Sequence, residues 1–266
     1  MPRRTRILAA LAAIIAIALG IDATAIEPYR LEVTHHVVQG PVAKAITIAH
    51  LSDLHTCGLG RHERKVIAAL EIERPDLIVI SGDSVTDACR PEAQKELLAA
   101  ISGIAPRLGV WLVFGNWEHW HPVKHLTHFY ADAGIHLLDN QNAQLEGPLW
   151  IAGFDDLRHG NPDLAKGIAG IPADAFTIGV FHEPAFFDSA ASHLSLAFAG
   201  HTHGGQVRIP FLPPLWLPSG SGNYLHGWYE RDGAKMYVTR GIGTSTLPIR
   251  FNCIPELAIV RLEPRQ

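Results

Sequence analysis

The feature that most constrains this chain is a repeated pattern, a short apolar run of β-branched or aromatic residues closed at once by a side chain able to bind metal. AITIAHL (Ala45–Leu51) is followed by Asp53 and His55, and DLIVIS (Asp76–Ser81) by Gly82 and Asp83. VWLVF (Val110–Phe114) is followed by Gly115, Asn116, Trp117 and Glu118. Phe176–Phe181 leads into His182, and Leu194–Ala199 into Gly200, His201 and His203. Runs of this kind predict buried strands. Helix-like segments at Arg61–Glu73 and Pro91–Ile104 separate the first three, so the opening reads β-α-β-α-β with parallel strands. Later runs at Trp150–Phe154, Met236–Thr239 and Leu257–Leu262 have few helical segments around them, and the second half is expected to be richer in antiparallel strands. The polar residues fall just beyond strand ends, where open α/β sheets bind ligands.

Asp53 and His55 are two positions apart, as are His201 and His203, so each pair can reach one ion from turning backbone. Asp83 has two oxygens and can bridge, and Asn116 offers a neutral carbonyl oxygen. Seven candidate ligands (Asp53, His55, Asp83, Asn116, His182, His201 and His203) are too many for one ion. Mixed nitrogen and oxygen donors suit two manganese, iron or zinc ions better than magnesium or calcium. Two such ions partly neutralised by two aspartates leave a positive seat matched to a phosphoryl group, which favours phosphate ester hydrolysis. An isolated histidine among the 16 present reads as a surface or core residue, but recurrence at successive strand ends does not. There is no P-loop, no HExxH and no GxSxG.

The 266 residues are 47% hydrophobic and 18% charged, which excludes disorder, and a formal charge of −4 gives no electrostatic footprint for nucleic acid. Arg3, Arg4 and Arg6 precede an apolar run, Ile7–Ile21, that spans roughly 22 Å as a helix, short of the roughly 30 Å bilayer core. Residues 1–25 are therefore expected to be a signal peptide, with small residues at Ala23–Ala25, or a slightly short membrane anchor. The arginines before the run place the remainder, 26–266, on the outer face of the cytoplasmic membrane or in the periplasm. Cys57, Cys89 and Cys253 form no CxxC pair and allow at most one disulfide, and Cys57 is expected to be a small buried packing residue.

HLSDLH (His50–His55), SGDSVTD (Ser81–Asp87), GHTHGGQVRIPF (Gly200–Phe211) and TRGIGTSTLPIRF (Thr239–Phe251) together resemble the calcineurin-like metallophosphoesterase superfamily, in its signal-bearing bacterial branch. The resemblance runs from about Ile26 to Leu262 and implies one domain, a four-layer αββα sandwich of two mixed sheets in the α/β class. It also implies a dinuclear phosphohydrolase in which Asp53, His55 and His203 hold one ion, Asn116, His182 and His201 the other, and Asp83 both.

The chain departs from the family pattern where the family's GNH histidine, its general acid, is Trp117. An indole nitrogen cannot shuttle a proton. General acid catalysis is worth about 10² to 10⁴ in rate, a loss that hurts most with poor leaving groups. Phosphodiester or pyrophosphate hydrolysis by a metal-activated hydroxide is therefore expected, with phosphomonoester hydrolysis or a non-catalytic metal-binding envelope protein as alternatives. His119 is the nearest replacement acid, His62 and His226 weaker ones. Arg240 and Arg250 offer guanidinium donors for phosphate oxygens or for structural salt bridges. The stretch Ile209–Trp216 (IPFLPPLW) either covers a sheet end or forms a lipid-facing wall that would admit a substrate with acyl chains, such as a cell-envelope lipid precursor.

Overall fold

The computed structural model describes residues 2–86, 91–120 and 123–265. Its main helices are α1 (Arg3–Ile21), α2 (Arg61–Glu73), α3 (Pro91–Ser102), α4 (Asn116–His119) and α5 (Val123–Asp132). The first strands are β1 (Glu32–Gly40), β2 (Ile46–Leu51), β3 (Leu77–Ile80), β4 (Val110–Leu112), β5 (His136–Leu137) and β6 (Gln141–Glu146). They are followed by β7 (Leu149–Gly153), β8 (Phe176–Val180), β9 (Leu196–Ala199), β10 (Gly227–Arg231), β11 (Ala234–Val238) and β12 (Glu256–Pro264). One six-stranded sheet has the order β1-β12-β2-β3-β4-β5 and the other β10-β11-β9-β8-β7-β6.

The period-2 alternation of a strand decides how these sheets pack. On β2, Ile46 and Ile48 join a cluster that includes Ile178, Val180, Leu196 and Phe198 of the second sheet, so this apolar layer lies between the sheets. Ala49 and Leu51 point the other way, with Ile78 and Ile80 of β3, onto Val66 and Leu70 of α2, Leu97, Leu98 and Ile101 of α3 and Tyr130 of α5. The outer face of the second sheet is covered by Phe186, Phe187 and Ala190, packed on Ala197 and Met236. These are the four layers of an αββα sandwich.

Antiparallel pairing in the second sheet is confined to its edges, β6 with β7 and β10 with β11. The inner pairs are parallel, so the second half is only partly antiparallel. Parallel order matters to the site, because it delivers the C-terminal ends of β2, β3, β4, β8 and β9 to one edge of the sandwich.

The leader is longer than the apolar run suggests. A continuous helical stretch, Arg3–Tyr29, has 27 residues and a mean hydropathy of 2.3 over its best window, with none of that window buried. At about 1.5 Å per residue it reaches roughly 40 Å, enough to cross a membrane. Its end is tied to the domain: Arg250 N donates to Ala23 O at 2.9 Å, and the buried Glu27 carboxylate accepts from Asn252 N at 2.9 Å and from Cys253 N. Cys57 is exposed and disulfide-bonded, contrary to the buried packing role expected of it. Cys253 is the buried free thiol, and Cys89 lies outside the described residues.

Candidate metal centre

Five of the seven candidate ligands take a left-handed backbone, with φ of 52° at Asp53, 40° at His55, 52° at Asp83, 69° at His201 and 49° at His203. Such residues cost about 1 to 3 kcal/mol each and persist only where the surroundings hold them. Here the chain must turn sharply off each strand so that the side chain faces the sheet edge. Main-chain bonds tie the turns together: Asp53 N donates to Gly82 O, His55 N to Asp83 O, and Gly200 N to His182 O, at 3.0 to 3.1 Å. Glycine is required beneath them. Gly82 has φ +88°, and a Cβ there would lie 2.7 Å from His182 Nδ1, while one on Gly115 would collide with Asp83 Oδ1.

The ligands converge. The donor atoms of Asp53, His55 and His203 lie within 4.8 Å of one another, as do those of Asp53, Asp83 and His182. Asp83 Oδ2 is 3.5 Å from His55 Nε2 and 3.3 Å from His182 Nε2, so it stands between the two groups. His201 Nδ1 is 3.0 Å from His182 Nε2, and Asn116 contributes a buried Oδ1 with no hydrogen-bond partner.

The hydrogen bonds around two of the rings test whether cations fit. His182 Nδ1 lies 2.7 Å from Ser81 O and His201 Nε2 lies 2.9 Å from Ser219 O. A ring nitrogen facing a carbonyl oxygen must carry the proton. The facing atoms, His182 Nε2 and His201 Nδ1, are then bare lone pairs 3.0 Å apart in the neutral rings. Two acceptors at that distance need a proton or a metal ion between them. His55 and His203 bring Nε2 to Nε2 at 3.3 Å in stacked rings, two further nitrogen donors facing one point. Together with the orphaned Asn116 oxygen, the donor set fits divalent metal.

Electrostatics agree with that fit. Burial pushes the His55 and His201 imidazoles down to about 3 and holds His203 well below its ordinary range, which keeps them neutral as metal ligation requires. Burial raises the carboxyls of Asp53 and Asp83, the latter to about 7, so the folded site lacks the positive charge two carboxylates want. At His182 burial also works downward, but the carboxylates of Asp83 and Asp53 outweigh it and raise the imidazole.

Glu118 holds the arrangement from behind. Fully buried, its carboxylate accepts from Asp83 N (2.9 Å), Ser84 N (2.7 Å), Gly115 N (2.8 Å), Ser84 Oγ (2.9 Å) and Tyr130 OH (3.1 Å). Through the Gly115 bond the Glu118 side chain reaches back from the third residue of α4 to the main-chain N of its N-cap, so one residue both begins that short helix and locks the turns after β3 and β4.

Of the other residues singled out in the sequence, Trp117 is at the site and the rest lie elsewhere. Trp117 walls the site, its indole edge-on to His55 with centroids 5.0 Å apart, and its main-chain N donates to Asp83 Oδ1. His119 turns away and does not line the cavity. Its Nε2 lies 2.6 Å from Asp155 Oδ1, and that carboxylate raises the imidazole against the lowering effect of burial. His62 is bonded to Ile242 O and His226 to Arg208.

Neither C-terminal arginine faces the cavity. Arg240 pairs with Glu256 and Glu32. Arg250 is completely buried, its guanidinium donating to the carbonyls of Arg240, Gly241, Gly243 and Cys253. The phosphate-binding expectation is corrected by this packing, because the Nε, Nη1 and Nη2 of Arg250 all meet main-chain carbonyl oxygens and Arg240 is held by two carboxylates away from the cavity.

A cavity of about 680 Å³ opens over Asp83, Asn116, His201 and His203. Leu215, Trp216 and Leu247 form an apolar side, and Arg158 and His159 a polar one. The sequence reading passed over that polar side. Its only signal was the DDLRH stretch directly after the Trp150–Phe154 run, another strand end carrying donors.

Residues 46–205 match the family model of the calcineurin-like phosphoesterases. The chain is 28% identical over 253 residues to the uncharacterised metallophosphoesterase YkuE of Bacillus subtilis, covering 90% of this chain and 87% of that protein. It is 31% identical over 206 residues to the phosphodiesterase YaeI of Escherichia coli, covering 73% of each. Three further bacterial metallophosphoesterases are longer, and the chain spans 60 to 61% of each. Among solved structures, a dimetal phosphatase from Danio rerio shares the fold with a TM-score of 0.50 at 10% identity, covering 77% of this chain and 90% of that one.

Proposed function

Because the chain belongs to the calcineurin-like phosphoesterase family and is thereby a metal-dependent phosphoric ester hydrolase, we propose that it cleaves a phosphodiester or pyrophosphate bond in an amphiphilic substrate at a membrane surface. Asp53, His55 and His203 hold one divalent ion, Asn116, His182 and His201 the other, and Asp83 both; the mixed donors suit manganese, iron or zinc. Bound ions supply Lewis-acid stabilisation of the phosphoryl oxygens and make water a competent nucleophile at neutral pH.

The chain's own residues then set the limits. His182 and His201 are oriented by Ser81 O and Ser219 O, which leaves their inner nitrogens free to ligate. Trp117 excludes water over His55 and donates no proton to a leaving group. Substrates whose leaving group is already acidic, as in a pyrophosphate or an activated diester, need that proton least. This disfavours phosphomonoester hydrolysis, and seven converged ligands disfavour a purely binding role.

The observation that carries the membrane reading is where the apolar surfaces lie. Phe211 is fully exposed, Leu212, Leu215 and Trp216 are 55 to 66% exposed and Leu247 is 57% exposed. Leu215, Trp216 and Leu247 also line the cavity. The leader helix joins the domain at Arg250, Asn252 and Cys253, only a few residues along the chain from Leu247. An uncleaved helix would therefore enter the bilayer beside the mouth of the site, and cleavage after Ala25 would part Ala23 from its bond to Arg250. The disulfide at Cys57 suits an oxidising compartment on the outer face.

The test is turnover of one phosphodiester headgroup with and without acyl chains, by the manganese-loaded and the chelator-stripped full chain. Loaded protein is expected to hydrolyse both, to prefer the acylated form at least tenfold, and to lose that preference in the Phe211→Asp/Trp216→Asp double variant. Equal efficiency on both substrates would overturn the membrane reading, and no turnover of either would overturn the enzyme.

A further inference from the structure

A second group of donors lies outside the seven ligands, and it has more buried charge than its hydrogen bonds can satisfy. Asp156 is completely buried at the end of β7, and Glu183, directly after His182, is 1% exposed. Asp156 Oδ1 is occupied, accepting from Arg158 N at 3.1 Å and His159 N at 2.7 Å, with His159 Nδ1 at 3.2 Å. Its Oδ2 has no hydrogen-bond partner and neither oxygen of Glu183 has one; Arg158 N, which bonds Asp156 Oδ1, lies close enough to act on the Glu183 carboxyl as well. His201 Nε2 stands 3.7 Å from Glu183 Oε1 but is directed at Ser219 O, and His182 and Arg158 are the other cationic or titratable groups that act on this carboxyl. Donor atoms of Asp156, His159 and Glu183 lie within 4.8 Å of one another. Buried carboxylate oxygens in native proteins are hydrogen-bonded, paired or bound to metal, and here Asp156 Oδ2 and both oxygens of Glu183 have no hydrogen bond.

We propose that Asp156, His159 and Glu183 bind a third divalent cation beside the dinuclear pair. Two carboxylates and one imidazole suit manganese or zinc. His159 is half-exposed and lines the cavity, so the ion's open coordination positions face the substrate. With Arg158 beside it, the ion makes this wall the complement of a second phosphoryl group, the feature that separates a pyrophosphate from a simple diester. This last step rests on the proposed reading of the dinuclear site, whereas ion binding itself does not.

The experiment is equilibrium dialysis of the chelator-stripped full-length chain, in detergent, against Mn²⁺ alone, followed by metal analysis. Wild type is expected to hold three ions per chain, Glu183→Gln and His159→Ala two each, and Asp83→Asn one. If Glu183→Gln does not fold, the half-exposed His159→Ala carries the comparison. Two ions in both wild type and His159→Ala would overturn the third site, leaving the Asp156–His159 pair as an ordinary buried contact. Complete loss of metal from Asp83→Asn would equally overturn a site independent of the dinuclear one. A wild type that loses ions only through Glu183→Gln and His159→Ala would instead fail the dinuclear reading and leave this one standing.

Discussion

Replacing Glu118 with glutamine removes one charge and one acceptor from a point where five donors meet, and the cost follows from counting them. Oε2 serves Asp83 N and Gly115 N, and Oε1 serves Ser84 N, Ser84 Oγ and Tyr130 OH. A glutamine does best with its oxygen on the Oε2 side, because the two hydroxyls opposite can rotate to accept from the amide. Ser84 N cannot, and a buried N–H facing another donor costs about 1 to 3 kcal/mol. The two bonds retained fall from charge-assisted to neutral strength, about 1 kcal/mol each. The sum is roughly 3 to 5 kcal/mol, or a melting temperature lowered by about 10 °C in a domain of this size. Asp83 and Asn116 ride on the same turns, so Mn²⁺ affinity is expected to fall about 10- to 100-fold, the usual effect of removing an orienting partner. Thermal denaturation and calorimetric Mn²⁺ titration read the two effects. A Glu118→Gln protein within about 0.5 kcal/mol of wild type, with unchanged Mn²⁺ affinity, would refute the view that this carboxylate holds the ligand turns.

Two more outcomes follow from the same contacts. Burial would raise the Glu256 carboxyl, but Arg240, with the Tyr237 and Thr34 hydroxyls, holds it down to about 2 from an ordinary 4.5. A depressed folded value stabilises the protein above the unfolded value and is lost as pH falls from about 4.5 towards 2, a contribution of roughly 3 kcal/mol. Glu256→Gln should therefore destabilise the protein near pH 7, with the difference shrinking in urea titrations as pH drops through that window; a gap undiminished at pH 2.5 contradicts it. Trp117→His should restore a proton donor and raise the rate on an alkyl phosphodiester by about 10²-fold or more, with little change on a nitrophenyl ester. Equal gains on both would show that the indole limits access and not protonation.

The centre of this fold was legible because its strands are buried on both faces. Ile46–Leu51 and Leu77–Ile80 read as continuous apolar runs, and their ends advertise the ligands. Edge strands carry no such mark. Glu32–Gly40 and Gln141–Glu146 are largely polar or half-exposed, and their pairing with β12 and β7 is decided by neighbours distant in sequence. Residue type also misleads where burial inverts its habit. Arginine in a loop near a phosphate site suggests a ligand contact, but only the fold reveals that Arg250 is enclosed and spends its donors on four carbonyl groups. Donors separated in sequence, such as Asp156 and Glu183, show no spacing pattern at all. They meet because β7 and β8 are parallel neighbours.

The most direct measurement is an anomalous difference map from crystals of the Mn²⁺-loaded protein. Two strong peaks sharing Asp83 are expected beside the one proposed at Asp156, His159 and Glu183, one of the two also contacting Asp53, His55 and His203 and the other Asn116, His182 and His201. A single peak, or none touching Asp83, would contradict the account.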